Sequence, residues 1–449
     1  MTISVPMSIF PPVLRRLAPA AAALLLLAPA LASQETGGLR LQLQYQADYQ
    51  PGFVVLPLGG SGAEAAATDV RRIIRQDLDF SDRFAMRDPG AGIRPGEAVN
   101  TALWRERGAD WVLAGEVQPS ASGLVLRLTL HDAVYGQVKS QGTFGLPALR
   151  DRDFRMAVHS AADEVVRWAT GSRGMAASRV AFVMQGRGSK EIYLVDSDGE
   201  NVQRVTSDGS IALSPAWSPD GGRIAYTSFR SDLPVLYERD LATGRDRVLF
   251  SRGGINITPA YSPDGRTVAF ASTAGGNTEI MTVSAGGGGA QQQTRGRRFD
   301  SLSPSYSPDG ARMAFVSDRL GEPHVYVMAP GGEPRVVSEY VYGQRGYNTS
   351  PSWSPTGDQI AYASRIRGSF QIVAVDPSGG RRRLLTNQGS NEDPSWAPDG
   401  RHLVFASSDR DGGGLFVLDT VSGRVRPLLR GRGFGLPEWS PTLRRAGAR

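Results

Sequence analysis

The residues able to do chemistry are few and scattered along the chain. The four histidines, His131, His159, His324 and His402, fall in different predicted elements, with no pair at i, i+4 and no adjoining His, Cys or Glu. That pattern offers no zinc site. His159 falls inside a predicted helix and reads as a surface or interface residue. Cysteine is absent, which removes disulfides and thiolate chemistry and is compatible with a periplasmic home. The nearest approach to a nucleophile elbow, Gly59-Gly-Ser-Gly-Ala63, fails at its last position. Gly286 to Gly289 is a plain glycine run between strands, a long turn rather than a phosphate loop. Asp196, Asp198, Asp240, Asp376 and Asp419 recur at predicted strand ends. Singly they are turn residues; gathered as a ring around an axis they would hold a cation.

What positions these residues is a repeat. Pro215-Ala-Trp217-Ser-Pro-Asp-Gly221 returns as Pro259 to Gly265, Pro304 to Gly310, Pro351 to Gly357 and Pro394 to Gly400, and ends in the fragment Pro437-Glu-Trp439-Ser-Pro441. Successive aromatics are 44, 45, 47, 43 and 43 residues apart. A period in the forties with turn signals at fixed offsets predicts a β-propeller of four-stranded blades. Each repeat carries a middle strand, such as Arg223 to Tyr226 or His402 to Phe405, then a third, such as Val235 to Asp240. A fourth, outer strand is visible in most repeats and poorest around Gln291 to Gln293. The first repeat lacks the opening phrase and the last phrase lacks a following blade, so the strand at 437–441 is expected to complete blade one and close a ring of six. Closure removes the unpaired sheet edge of an open array.

The repeated phrase itself is scaffold. Its first proline enters a strand without needing a ladder donor. The aromatic fills the wedge between blades, and Ser-Pro-Asp-Gly is a tight turn. Thr356 and Ala397 break the phrase without breaking its turn logic.

Residues 33–172 have a different composition and predict a small α+β domain. Phe53 to Leu56 reads as a short strand, Ala65 to Asp79 as a helix, and Thr101 to Arg107 as a second helix. Trp111 to Ala114 reads as a strand, and Leu124 to His131 with Gln137 to Phe144 as a hairpin. Asp151 to Ala169 reads as an amphipathic helix with Phe154, Val158, Ala161, Val165 and Trp168 on one face. Gly171 to Ala177 is the linker, and the propeller is expected over 178–442. Leu39, Leu41, Leu43 and Tyr45 alternate with polar residues, as in an edge strand or an extended arm.

Residues 1–32 read as a secretory signal. Arg15 and Arg16 flank the apolar run Leu17 to Leu27, and Ala30-Leu31-Ala32 is a small-x-small cleavage site. Cleavage near Ala32 lowers the formal charge from +6 to about +4 by loss of those two arginines. No cysteine follows to carry a lipid, and no later segment is apolar enough to cross a membrane, so a soluble mature protein is expected. Apart from Lys139 and Lys190, every basic residue is arginine, interspersed with acids and without interleaved aromatics. Nucleic acid is not an expected partner.

The loops entering the inner strands gather at one mouth of the ring. They carry Asn256 and Thr258, Asp300 and Ser301, Tyr347, Asn348 and Thr349, and Asn391, Glu392 and Asp393. A rigid scaffold commonly carries function on such loops, so these positions are the expected partner-docking rim.

The combination of a signal peptide, a small α+β domain and six such repeats resembles the TolB family, the periplasmic propeller proteins of the Tol-Pal envelope system. Gly108 to Val117, Val54 to Pro57 and the Leu128 to Gln141 hairpin are similar to family stretches. The resemblance implies no enzyme activity and no cofactor, and a role in outer-membrane integrity and envelope constriction at cell division. It implies binding of the peptidoglycan-associated lipoprotein Pal at the loop mouth. It also implies contact with TolA through the mature N-terminal segment, near Ser33 to Leu43, where Leu39, Leu41 and Leu43 lie. A monomer is expected. The competing class is a lactonase-type propeller enzyme or small-molecule binder with a cation in the central channel, which requires acids and histidines converging at the funnel.

Overall fold

The computed structural model describes residues 49–296, 298–343, 345–408 and 412–443. The signal segment and the arm holding Leu39, Leu41 and Leu43 lie outside the described residues.

The first domain is built on a five-stranded sheet. Its elements are β1 (Gly52–Val55), α1 (Glu64–Phe80), β2 (Ala85–Arg87), α2 (Thr101–Glu106), β3 (Trp111–Ser120), β4 (Gly123–Asp132), β5 (Gln137–Leu146) and α3 (Phe154–Thr170). Sheet order is β2-β1-β3-β4-β5; β1 runs parallel to both neighbours and the rest is antiparallel. Alternation sorts the side chains: Phe53, Val55 and Leu113 face α1 and α3, whereas Val54 and Val112 pack with Trp104 of α2 on the other face. Helix α1 buries the stripe Val70, Ile73, Ile74 and Leu78, the spacing of a core-facing helix. Asn100 caps α2 by accepting from Leu103 N at 3.1 Å. Gly171, at φ 74°, ends α3 in the left-handed conformation a side chain resists. Strand β2 has no sequence signature, since Ala85, Met86 and Arg87 carry no alternation. Strand β3 extends to Ser120 because its partner β4 offers a full ten-residue ladder.

Six four-stranded sheets follow. Blade 1 takes its inner strand, Phe434–Trp439, from the C-terminal end and pairs it with β6 (Arg179–Gln185), followed by β7 (Lys190–Asp196) and β8 (Gln203–Arg204). The ring therefore closes as the repeat arithmetic requires. Inner strands of blades 2 to 6 are Ala212–Trp217, Asn256–Tyr261, Ser301–Tyr306, Asn348–Trp353 and Ser390–Trp396. Middle strands supply the fully buried aromatics Phe182, Tyr226, Phe270, Phe315, Tyr362 and Phe405. Outer strands shrink to two residues in blades 1, 3 and 4, where little apolar surface remains to cover. No described helix is long and apolar enough to cross a membrane.

The tight turns follow one plan. Ser218, Ser262 and Ser307 each donate a hydroxyl to the aspartate two residues on, at 2.5–2.6 Å, and each accepts the backbone N–H that opens the next strand. In blade 5, Thr356 displaces the aspartate and Asp358 takes its place against Ser354. In blade 6, Ala397 has no hydroxyl, which leaves the Asp399 carboxylate free for other partners.

Candidate functional site

Strand direction assigns every loop to a face. Inner strands run from the mouth toward the Pro-x-aromatic phrase. The loops between second and third strands, and those entering each inner strand, therefore share the mouth. The Ser-Pro-Asp-Gly turns and the third-to-fourth turns share the opposite face. The α+β domain occupies that opposite face, over blades 1 and 6. Asp82, just past α1, accepts from Arg424 Nη1 at 3.0 Å and Arg426 Nη1 at 2.5 Å, and lies 3.3 Å from Nε2 of His402. Arg401 donates to the Asp82 carbonyl and, through two nitrogens, to Asp419. The freed Asp399 meets His402 Nδ1 at 2.7 Å and Arg83 at 3.6 Å. On blade 1, Asp198 accepts from Arg155 of α3, and His159 sits between Asp77 and Asp198.

Folding thus gathers two histidine–carboxylate groups, Asp77–His159–Asp198 and Asp82–His402–Asp419, that the histidine spacing did not announce. His159 is an interface residue, as expected, but wholly buried. Arginines already hold a carboxylate in each group (Arg155 on Asp198; Arg401, Arg424 and Arg426 on Asp82 and Asp419). Their chemistry is that of an ion-paired joint rather than a cation cage.

The mouth is exposed and apolar. Phe229 and Leu233 of blade 2, Ile255 entering blade 3, Leu320 of blade 4, and Tyr340, Tyr342 and Tyr347 entering blade 5 all present large side chains to solvent, Leu233 at 52% and Tyr342 at 91%. Exposed apolar residues also stand on the outer strands and the opposite face, as at Val248, Leu384 and Val421; the mouth is distinguished by the aromatics Phe229, Tyr340, Tyr342 and Tyr347 gathered there, which suit an interaction surface. Beside them the Arg319 guanidinium lies 4.8 Å from the ring centres of both Phe299 and Tyr326.

The ten positions expected on the rim separate into three groups. Asp300, Tyr347 and Glu392 are exposed there. Thr258, Thr349 and Asp393 are half-buried farther along the inner strands. Asn256, Ser301, Asn348 and Asn391 correct the expectation, because all four are buried. Asn256 accepts from the Ser272 hydroxyl at 2.8 Å, Asn348 lies 3.2 Å from His324 Nδ1, and Asn391 donates to Gln371 at 3.0 Å. Each stands three residues before its proline, so the repeat specifies them as pegs holding the loop. Apart from Tyr347, the exposed apolar residues were missed because they lie in irregular loops outside the repeat.

An axial channel of about 820 Å³ opens toward the domain-bearing face. Ser214, Thr258, Ser303, Ser350, Asp393 and Leu436, each preceding a strand proline, line it with φ between 49° and 54°. A left-handed non-glycine residue costs roughly 1–2 kcal/mol, and each sits where the inner strand bulges. Asp393 accepts from the Ser350 hydroxyl at 2.7 Å and from Leu436 N at 3.3 Å, and burial pushes its carboxyl up. Glu438 is half-buried on the channel wall, and burial pushes it up to about 7 against a bond from Ser395. The strand-end acids are turn residues, as read from the sequence, and do not gather as a ring around the axis. Asp196, Asp198, Asp240, Asp376 and Asp419 are absent from the channel lining. Asp240, Asp376 and Asp419 accept their own turns' N–H groups, and Asp196 and Asp198 pair with Arg179 and Arg155.

Residues 166–443 match the TolB beta propeller domain and residues 39–138 the TolB amino-terminal domain. The chain belongs to the TolB family. The Tol-Pal system protein TolB of Albidiferax ferrireducens is 34% identical over 203 residues, 44% of this chain and 47% of that protein. That of Anaeromyxobacter dehalogenans is 37% identical over 292 residues, 62% of this chain and 65% of that protein. The aligned stretches thus span roughly half to two-thirds of these TolB relatives. The crystal structure of TolB from Acinetobacter baumannii superimposes with a TM-score of 0.76 at 27% identity, covering 88% of this chain and 97% of that one. The TolB likeness therefore extends across both domains.

Proposed function

We propose that this chain is a non-enzymatic periplasmic adaptor of the Tol-Pal system, exported by cleavage near Ala32. It docks the lipoprotein Pal on the propeller mouth and engages TolA through its N-terminal segment around Leu39, Leu41 and Leu43. In that role it supports outer-membrane integrity and envelope constriction at division. The observation that carries the reading is the apolar group at the mouth, on the face the α+β domain leaves free. Aromatic and aliphatic anchors ringed by polar residues such as Asp300 and Glu392 have the composition of a docking surface. Calorimetric titration of residues 33–449 with the periplasmic domain of the same organism's Pal tests it. Saturable one-to-one binding supports the adaptor; absence of any complex at high concentration overturns it.

A second reading, a cation held in the channel, draws on Asp393 and Glu438, which lie there without an arginine partner among the described ion pairs. Metal analysis of the purified protein decides it.

A further inference from the structure

We propose that the contact between the α+β domain and blade 1 is a proton-operated latch, in which a doubly flanked His159 imidazolium holds the two domains together and its deprotonation loosens them. The inference concerns regulation of the joint between domains and does not depend on which partner occupies the mouth.

The geometry is that of a charged ring between two carboxylates. His159 Nδ1 lies 2.8 and 3.0 Å from the two oxygens of Asp77, so that nitrogen carries a hydrogen and donates. On the far side, Nε2 is buried without a hydrogen-bond partner and points toward Asp198, whose Oδ2 is 3.9 Å away. A neutral ring would leave a lone pair facing a carboxylate; a protonated one presents a charge to it. Asp77 and His159 belong to the α+β domain, whereas Asp198 and Asp196 belong to the third-to-fourth turn of blade 1. The imidazolium is therefore satisfied fully only when the domains are docked.

Charge balance points the same way. Four carboxylates face this joint: Asp77 of α1, Asp163 of α3, and Asp196 and Asp198 of the propeller. Two guanidiniums answer them directly, Arg155 on Asp198 and Asp196 and Arg179 on Asp196. Arg83 faces Asp163 and Glu200 faces Arg155 from farther off. A proton on His159 and one on Asp163 make good the difference. Asp163 also clips the linker, accepting from Ala176 N at 2.8 Å and Ala177 N at 2.9 Å. The linker lies so close that a Cβ on Gly174 would stand 2.0 Å from its carboxylate.

Burial alone would lower the His159 pKa, but the charge and hydrogen bond of Asp77, with Asp198 and Asp196, raise it from 6.5 to about 8. Burial pushes Asp163 up to about 7. Both groups bind the extra proton in the folded protein: the His159 contribution is complete below about 6.5 and is lost as pH rises through about 8, whereas that of Asp163 is complete only below 3.8 and is lost as pH rises through about 7. The blade 6 contact rests on more arginines. Burial lowers the His402 pKa there and Asp399, Asp82 and Asp419 raise it, but Arg401, Arg424 and Arg426 pair with Asp82 and Asp419, and their charge persists throughout this range. Release at blade 1 with retention at blade 6 makes the joint a hinge.

The test is hydrogen exchange on residues 33–449 between pH 6.5 and 8.5, corrected for intrinsic rates, together with NMR titration of the His159 ring. Protection of the Ala176, Ala177 and Ser197 amides is expected to fall by at least tenfold more in the natural chain than in His159→Gln. The ceiling for His159 is about 30-fold, ten raised to the difference between about 8 and 6.5. Asp198→Asn, a turn substitution that leaves the first domain's core intact, should bring the His159 titration down. Equal loss of protection in the natural chain and His159→Gln overturns the latch. So does a His159 ring that titrates near 6.5, or one that Asp198→Asn leaves unmoved.

Discussion

Indole Nε1 of Trp439 donates to Oγ of Ser178 at 2.7 Å, joining residues 261 positions apart at the seam where the ring closes. Trp439 packs with Val180, Val404 and Ala397, bridging blades 1 and 6. Truncation by Trp439→Ala removes a large core side chain and should cost about 3–5 kcal/mol. Ser178→Ala leaves the indole N–H buried without its acceptor and should cost about 1–3 kcal/mol. Urea denaturation measures both; unchanged midpoints would mean that closure does not depend on this seam.

The ring was legible because its prolines, aromatics and tight turns answer local demands repeated at a fixed period. Asn256, Asn348 and Asn391 show where that legibility fails. Polar residues entering a strand read as solvated, yet their shared offset from the proline marked them as part of the scaffold. The joint between domains was harder. Asp77 and Asp198 meet His159 only through tertiary packing, and no periodicity links α1 and α3 to a blade turn. One trace was present: Ala397 removes the hydroxyl that holds this aspartate in other repeats, and His402 follows nearby. The broken repeat is where the other domain docks.

Asp82 is the centre of that dock. It stands at φ 52° past the end of α1 and takes two arginines and a histidine from blade 6. Asp82→Asn tolerates the left-handed backbone but removes the charge, leaving Arg426, whose side chain is 11% exposed, without its carboxylate. A loss toward the lower end of about 3–5 kcal/mol is expected. Calorimetry should show the single transition splitting as the first domain uncouples; one undivided transition at the natural temperature would contradict this.

At the mouth, stability and binding should separate. Tyr342→Ser alters a side chain that is 91% exposed, so stability should hold within about 0.5 kcal/mol while affinity for Pal falls. Asn348→Ala should instead lower stability by about 1–3 kcal/mol, because it strips a hydrogen bond from buried His324. Paired melting and binding measurements check this; a stable Asn348→Ala with lost affinity would return that residue to the docking rim.

Acid should unfasten blade 6. Burial opposes ionisation of Asp419, yet Arg401, Ser422 and Val421 N hold its carboxyl far below the usual range, and His402 with turn N–H groups lowers Asp399. For a depressed folded pKa the stabilisation is present above the unfolded value near 4 and is lost as pH falls through the folded one. Stability should decline between about pH 4 and pH 2, and the decline should be shallower in Asp419→Asn. Circular dichroism across that range checks it, and parallel curves would rule out Asp419 as the acid-sensitive group.

Glu438 should act with the opposite sign. It follows Pro437 in the blade 1 inner strand, at a position held by Ala216, Ala260, Ser305, Ser352 and Ser395 in the other repeats. A carboxylate there replaces a small side chain beside the channel, and burial raises its pKa to about 7. A folded pKa above the unfolded one means that the folded state binds the extra proton. The associated stability is complete below about 4.5 and is lost as pH rises through 7. The loss by pH 8 is at most about 3 kcal/mol and is reduced by water in the channel. Glu438→Gln keeps the shape and removes this titration, so its melting temperature should fall less from pH 5 to 8 than the natural chain's. A natural chain that melts no lower at pH 8 than the variant would mean that the ionised carboxylate is compensated in the channel, as a bound cation would do.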